Sequence, residues 1–195
     1  MNLAGRVRTE AHGFLKMLAS GDPIDCSTAM VVVAHPDDET VALGGQLSRM
    51  KGIRILHVTD GAPANMRDAW AKGYERREDY ALQRKNELFE AMTKAGIDAG
   101  SLLSFDVADQ SAAYQMPLLA GRLATLLQED GITMVLTHAY EGGHPDHDAT
   151  AFVAHAAHCL LQREDWPPIQ ILEFPLYHSH GGADAGSRIS HVRRP

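Results

Sequence analysis

The 195 residues are 45% hydrophobic and 22% charged, enough for one domain that buries roughly 70% of its unfolded surface, with no run near the ~20 apolar residues of a membrane span. Eighteen basic against 25 acidic residues leave a net charge of -7, which argues against capture of nucleic acid or an anionic membrane and favours a small-molecule partner. Arg6, Arg8, Glu10 and Lys16 interrupt the apolar N-terminus, so no secretory signal is read, a cytoplasmic location is expected, and Cys26 and Cys159 are expected as reduced thiols.

Residues 2–19 alternate charged and apolar positions at helical spacing and stop at Gly21-Asp22-Pro23. Ala29 to Ala34, with three consecutive valines, reads as a strand buried on both faces. A helix over 40–50, a strand over 53–59 and a polar loop over 60–73 follow; in that loop Asp60-Gly61 reads as a turn, and Met66, Trp70 and Tyr74 as an apolar lid or a helix face. Then come a helix over 75–95, a strand over 102–105, a helix over 117–128, a strand over 132–137, a helix over 148–163 and a strand over 169–174. Such alternation predicts a parallel, doubly wound α/β sheet of about five strands. A domain over 1–178 is expected, with a loose tail over 179–195, where Gly, Ser, His and Arg lack periodicity.

In open α/β sheets ligands sit beyond the carboxyl ends of the strands, and two such segments are loaded: Ala34-His35-Pro36-Asp37-Asp38-Glu39 after the first strand and His144-Pro145-Asp146-His147-Asp148 after the fourth. One capping carboxylate would serve the helix end; capping explains neither the others nor the remote histidines. His35 and a carboxylate three residues on, with His147 from the other loop, make a two-His, one-carboxylate set. Three ligands leave an open place, as catalytic zinc requires, and a hydrolase then needs a base and an oxyanion partner. No glycine fingerprint for a dinucleotide is present, so nucleotide binding ranks last. His155 and His158, three apart on a helix, read as one helix face rather than a second metal pair.

AHPDDE at 34–39 with HPDH at 144–147 resembles the LmbE/PIG-L family of N-deacetylases, over about Met30 to Tyr177. The resemblance implies a Rossmann-like three-layer fold, one Zn2+ ion, for which Fe2+ or Co2+ could substitute, and an N-acetylglucosamine-type substrate. It makes His35, Asp38 and His147 the metal ligands and Asp37 the general base. His144 becomes the general acid or oxyanion partner, with Asp146 placed to orient and charge it. Arg84, in Arg84-Lys85-Asn86-Glu87, resembles a substrate-side arginine, and Asp109 the acidic residue at substrate hydroxyls. A tyrosine that relatives place two residues before the acid histidine is Gly142 here, which leaves Tyr140 as its replacement. Relatives also carry more sheet and binding loops beyond the last strand, so the acceptor side is expected to be incomplete or completed by another subunit in a homo-oligomer. Two alternatives stand beside N-deacetylation: a larger thiol-conjugate amide as substrate, and a non-catalytic zinc-containing binding module.

Overall fold

The computed structural model describes residues 3–177, with side chains from residue 11 onward. Five parallel strands form the main sheet: β2 (Ala29–Val33), β4 (Arg54–Pro63), β5 (Leu102–Asp109), β6 (Met134–His138) and β7 (Gln170–Phe174). Their order across it is β5-β4-β2-β6-β7. The helices are α1 (Leu3–Ser20), α2 (Asp38–Leu47), α3 (Arg67–Ala71), α4 (Arg77–Lys94), α5 (Met116–Glu129) and α6 (Pro145–Arg163). A separate two-stranded parallel pair, β1 (Ile24–Asp25) with β3 (Met50–Lys51), was not expected. Two-residue strands are too short to show any periodicity.

The three layers follow from alternation along β2, all five of whose residues are buried. Met30 and Val32 face a core shared with Leu119, Leu123 and Leu127 of α5 and Val153 and Leu161 of α6. Val31 and Val33 face the opposite core, with Phe14 of α1, Leu43 and Leu47 of α2, and Leu88 and Met92 of α4. The chain leaves β2 toward β4 on one side and later returns to β6 on the other, so the carboxyl ends of β2 and β6 meet at a topological switch point, where open sheets bind ligands.

Several boundaries differ from expectation. β4 runs on through Asp60 and Gly61 to Pro63, because Arg77 of α4 meets Asp60 at 2.6 Å and stabilises its carboxylate inside the strand. The segment expected as a loop therefore holds a strand end and α3, on which Trp70 is exposed rather than packed in the core. α6 begins three residues early, with Pro145 in its first turn and His144 as its cap. Cys26 is buried, Cys159 is exposed, and both are free. No helix among the described residues is long and apolar enough to cross a membrane. The tail expected over 179–195 lies outside the described residues.

Candidate active site

His35 leaves β2 in the turn before α2, and its backbone N–H donates to Asp38 Oδ2 at 2.7 Å, which folds the carboxylate back beneath the imidazole. His147, in the first turns of α6, comes in from the β6 side. His35 Nδ1 lies 3.2 Å from His147 Nε2 and 3.4 Å from Asp38 Oδ2, while His147 Nε2 lies 3.3 Å from Asp38 Oδ1. Donors bound at about 2.0–2.1 Å in a tetrahedron are roughly 3.3 Å apart. The two imidazole nitrogens lie at that spacing, and each is near it from one of the two Asp38 oxygens, so the donor set of two imidazoles and one carboxylate fits zinc.

Other donors crowd the same place. His35, His144 and His147 form one group able to hold a metal ion; Asp38, His138 and His147 form a second; His35, Asp109 and Asp146 form a third. Burial alone would favour neutral Asp38, yet bonds to His138, His147 and His35 hold its carboxyl well below the usual carboxylate range. Burial likewise opposes charge on His35, but Asp109, Asp146 and Asp38 outweigh it and lift its pKa to about 11.

Asp37 stands apart from this cluster. Its side chain is 55% exposed and accepts from Arg84 Nη2 at 3.0 Å. Its backbone, at φ 152° and ψ -21°, lies in a region costly for a residue with a Cβ, the kind of strain that recurs at functional sites. Two contacts secure it. Glu39, fully buried, accepts from Asp37 N–H at 3.1 Å and meets His57 Nε2 at 2.9 Å. Arg84 donates to Pro36 O at 2.7 Å, so this arginine, expected on the substrate side, also holds the turn that carries Asp37.

His144 Nδ1 accepts the backbone N–H of Asp146 at 3.2 Å. That bond places the proton of a neutral His144 on Nε2, as a donor. Burial lowers the His144 pKa, and charge on His35 and His147 lowers it further. The Asp146 carboxylate, expected to orient His144, instead accepts from Gln110 N–H at 2.6 Å and Ala112 N–H at 3.0 Å and lies 3.4 Å from His35 Nε2. Asp109, expected at substrate hydroxyls, meets His35 Nε2 at 3.0 Å. Tyr140 is 75% exposed on the chain after β6.

Four participants escaped the sequence reading. His138 ends β6, is fully buried, accepts Ala34 N–H at 3.0 Å and lies 3.3 Å from Asp38; its place at a strand end, like that of His35, was the available signal. Glu39 and His57 are joined only by the fold. Tyr177, after β7, stacks toward His147 with ring centroids 4.9 Å apart, although nothing local marks it. His155 instead meets Glu173 at 2.8 Å on an exposed face, away from the cluster.

The PIG-L family, described as GlcNAc-PI de-N-acetylase, matches residues 30–158. A 1D-myo-inositol 2-acetamido-2-deoxy-alpha-D-glucopyranoside deacetylase from Mycobacterium sp. (strain KMS) is 30% identical over 159 residues, covering 70% of this chain and 51% of its own. A conserved protein of known structure from Thermus thermophilus is 27% identical with a TM-score of 0.60, over 79% of this chain and 68% of that one. An A40926 pseudoaglycone deacetylase shares the fold, with a TM-score of 0.63 at 21% identity, over 84% of this chain and 70% of that one. The chain spans between 51% and 64% of the length of the first curated relatives it matches.

Proposed function

Because the chain belongs to the PIG-L, or GlcNAc-PI de-N-acetylase, family, we propose that it is a zinc-dependent amidohydrolase that removes an acetyl group from an N-acetylglucosamine-type sugar or conjugate. The observation that carries this reading is the convergence of His35 Nδ1 and His147 Nε2, 3.2 Å apart, on the two oxygens of Asp38 at 3.4 and 3.3 Å, beside an exposed carboxylate at Asp37. Those three residues would hold the metal. Zinc there would supply a Lewis acid for the amide carbonyl and lower the pKa of water to about 7.

This chain's own groups do the rest. Asp37 takes a proton from the attacking water as its oxygen bonds to the carbonyl carbon, with Arg84 holding the carboxylate in place. His144, carrying its proton on Nε2, donates to the developing oxyanion. The C–N bond then breaks, the departing nitrogen takes up the proton that Asp37 received, and a free amine and acetic acid are released, the acid giving its proton to solvent to become acetate. Asp146 and Asp109 orient His35, as carboxylates do for ligand imidazoles. The Asp109 carboxylate and Tyr140 are assigned to substrate hydroxyls.

The test is acetate release from a panel of N-acetylated sugars, with a thiol-conjugate amide included, comparing zinc-loaded protein with Asp37→Ala at equal metal occupancy. Turnover that falls by at least about 100-fold in the variant while zinc stays bound supports Asp37 as the base. A variant as active as the parent would refute the assignment. No turnover on any amide, with full zinc, would favour the binding-module alternative.

A further inference from the structure

A histidine that binds a metal through one ring nitrogen is ordinarily oriented by a hydrogen bond at the other. His35 has that bond, from Nε2 to Asp109. His147 does not: its Nε2 faces His35 and Asp38, while its Nδ1 is buried without a hydrogen-bond partner among the described residues. Rotation about the last side-chain bond of histidine is broad and roughly two-fold, so something else must fix the ring.

Ring contacts supply it. His147 stacks on His138 at 4.0 Å between centroids and 18° between planes. Tyr177 lies tilted against it at 4.9 Å and 41°, at much the distance of His144 and His35, at 5.0 and 5.2 Å. Tyr177 is itself held by a mount built from the chain before α6. Glu141 Oε2 accepts the backbone N–H groups of Leu176 and Tyr177, each at 2.8 Å. Asp148 Oδ1 accepts the N–H groups of Glu141 and Gly142 at 3.0 and 3.1 Å, tying that mount to the helix that carries His147. At Gly143 a Cβ would come within 2.8 Å of Tyr177 Cβ, so the tyrosine fits only because this residue has no side chain.

We propose that Tyr177 is a positioning residue for His147: its ring, mounted by Glu141 and Gly143, substitutes for the hydrogen bond that Nδ1 does not make among the described residues. The inference rests on the reading of His147 as a metal ligand. It requires the aromatic ring and not the hydroxyl, and it makes metal affinity sensitive to a residue that touches no ligand atom.

Zinc affinity, measured by chelator competition on protein whose fold is checked by circular dichroism, tests it without reference to turnover. Tyr177→Phe should bind zinc within about twofold of the parent, and Tyr177→Ala about 10–100-fold more weakly, the range for loss of an outer support. Gly143→Ala, which displaces the ring while leaving it in the chain, should also weaken binding and carries the test if Tyr177→Ala does not fold. The Tyr177→Ala/Gly143→Ala double variant should be no weaker than Tyr177→Ala alone, since both act through one ring. Parent-like affinity in Tyr177→Ala, equal weakening in Tyr177→Phe, or additive losses would overturn the proposal while leaving the metal reading intact. A parent that binds no zinc would overturn the metal reading and this inference with it.

Discussion

Replacing Asp146 by alanine should cost the protein stability as well as its site. The carboxylate is fully buried and accepts two backbone N–H groups, from Gln110 at 2.6 Å and Ala112 at 3.0 Å, at the exit from β5. Each N–H left without an acceptor away from water costs about 1–3 kcal/mol, so the alanine variant should lose about 2–6 kcal/mol. Asparagine can serve only one of the two with its single carbonyl oxygen and turns an NH2 toward the other, so Asp146→Asn should lose roughly half as much. Urea melts of metal-free protein read this directly: the midpoint should fall with an unchanged slope, and removal of metal keeps differential binding out of the comparison. An alanine variant within about 0.5 kcal/mol of the parent, the scatter of ordinary surface substitutions, would show that the two N–H groups find other acceptors. An asparagine variant less stable than alanine would contradict the geometry outright.

Metal uptake should release protons. With its pKa raised to about 11 by Asp109, Asp146 and Asp38 against the opposing effect of burial, His35 is charged at neutral pH in the metal-free protein. Its contribution to the metal-free fold is full below its ordinary pKa of 6.5 and is lost as pH rises through about 11. Calorimetry in buffers of different ionisation enthalpy should give about one proton released per metal at pH 7, with affinity rising with pH; metal binding without proton release would contradict it. Glu39 behaves in the opposite sense. Burial alone would raise its pKa, yet the bond to His57 keeps it below its ordinary 4.5, so its contribution is present above that pH and lost as pH falls through the depressed value. Glu39→Gln should lower stability at pH 7 by about 1.5–3 kcal/mol and flatten the acid limb of a plot of Tm against pH; parallel curves from pH 3 to 7 would refute the linkage. Gly61 has φ +68°, and a Cβ there would meet Arg84 Nε and Pro36 Cδ, both at 3.0 Å. Gly61→Ala should therefore cost about 1–2 kcal/mol through its left-handed backbone alone and loosen Arg84 from Pro36 O, seen as a lower thermal midpoint; an unchanged midpoint would exclude the crowding.

What was legible beforehand was what a short stretch of chain declares by itself. The valines of β2 signal a strand buried on both faces, and histidines and carboxylates just beyond two strands signal a site at the sheet's carboxyl edge. The α/β alternation gave the layers. What stayed hidden depends on partners far along the chain: Asp60 reads as a turn until Arg77 arrives from α4, and nothing local shows that Arg84 also donates to Pro36 O. Glu39 reads as one more carboxylate at a helix end until His57 is seen beside it. Tyr177 sits where it does because β7 pairs with β6 and Glu141 reaches across to receive its backbone. No periodicity encodes such cross-chain pairings, and they are where Asp109 and Asp146 take up different partners from those the motifs suggested.

The alternation along β2 has an implication for how this protein can diversify. Neighbouring residues Met30 and Val31 are locked into opposite cores, so the strand behaves like a toothed rack: inserting or deleting one residue between 29 and 35 would exchange the contents of both cores and carry His35 one tooth, about 3.3 Å, out of place. Substitutions and length changes should instead accumulate in the segments around Trp70, Tyr114 and Tyr140, whose side chains stand exposed after three different strands. On the proposed activity, new substrate preferences can arise there without disturbing His35, Asp38 or His147.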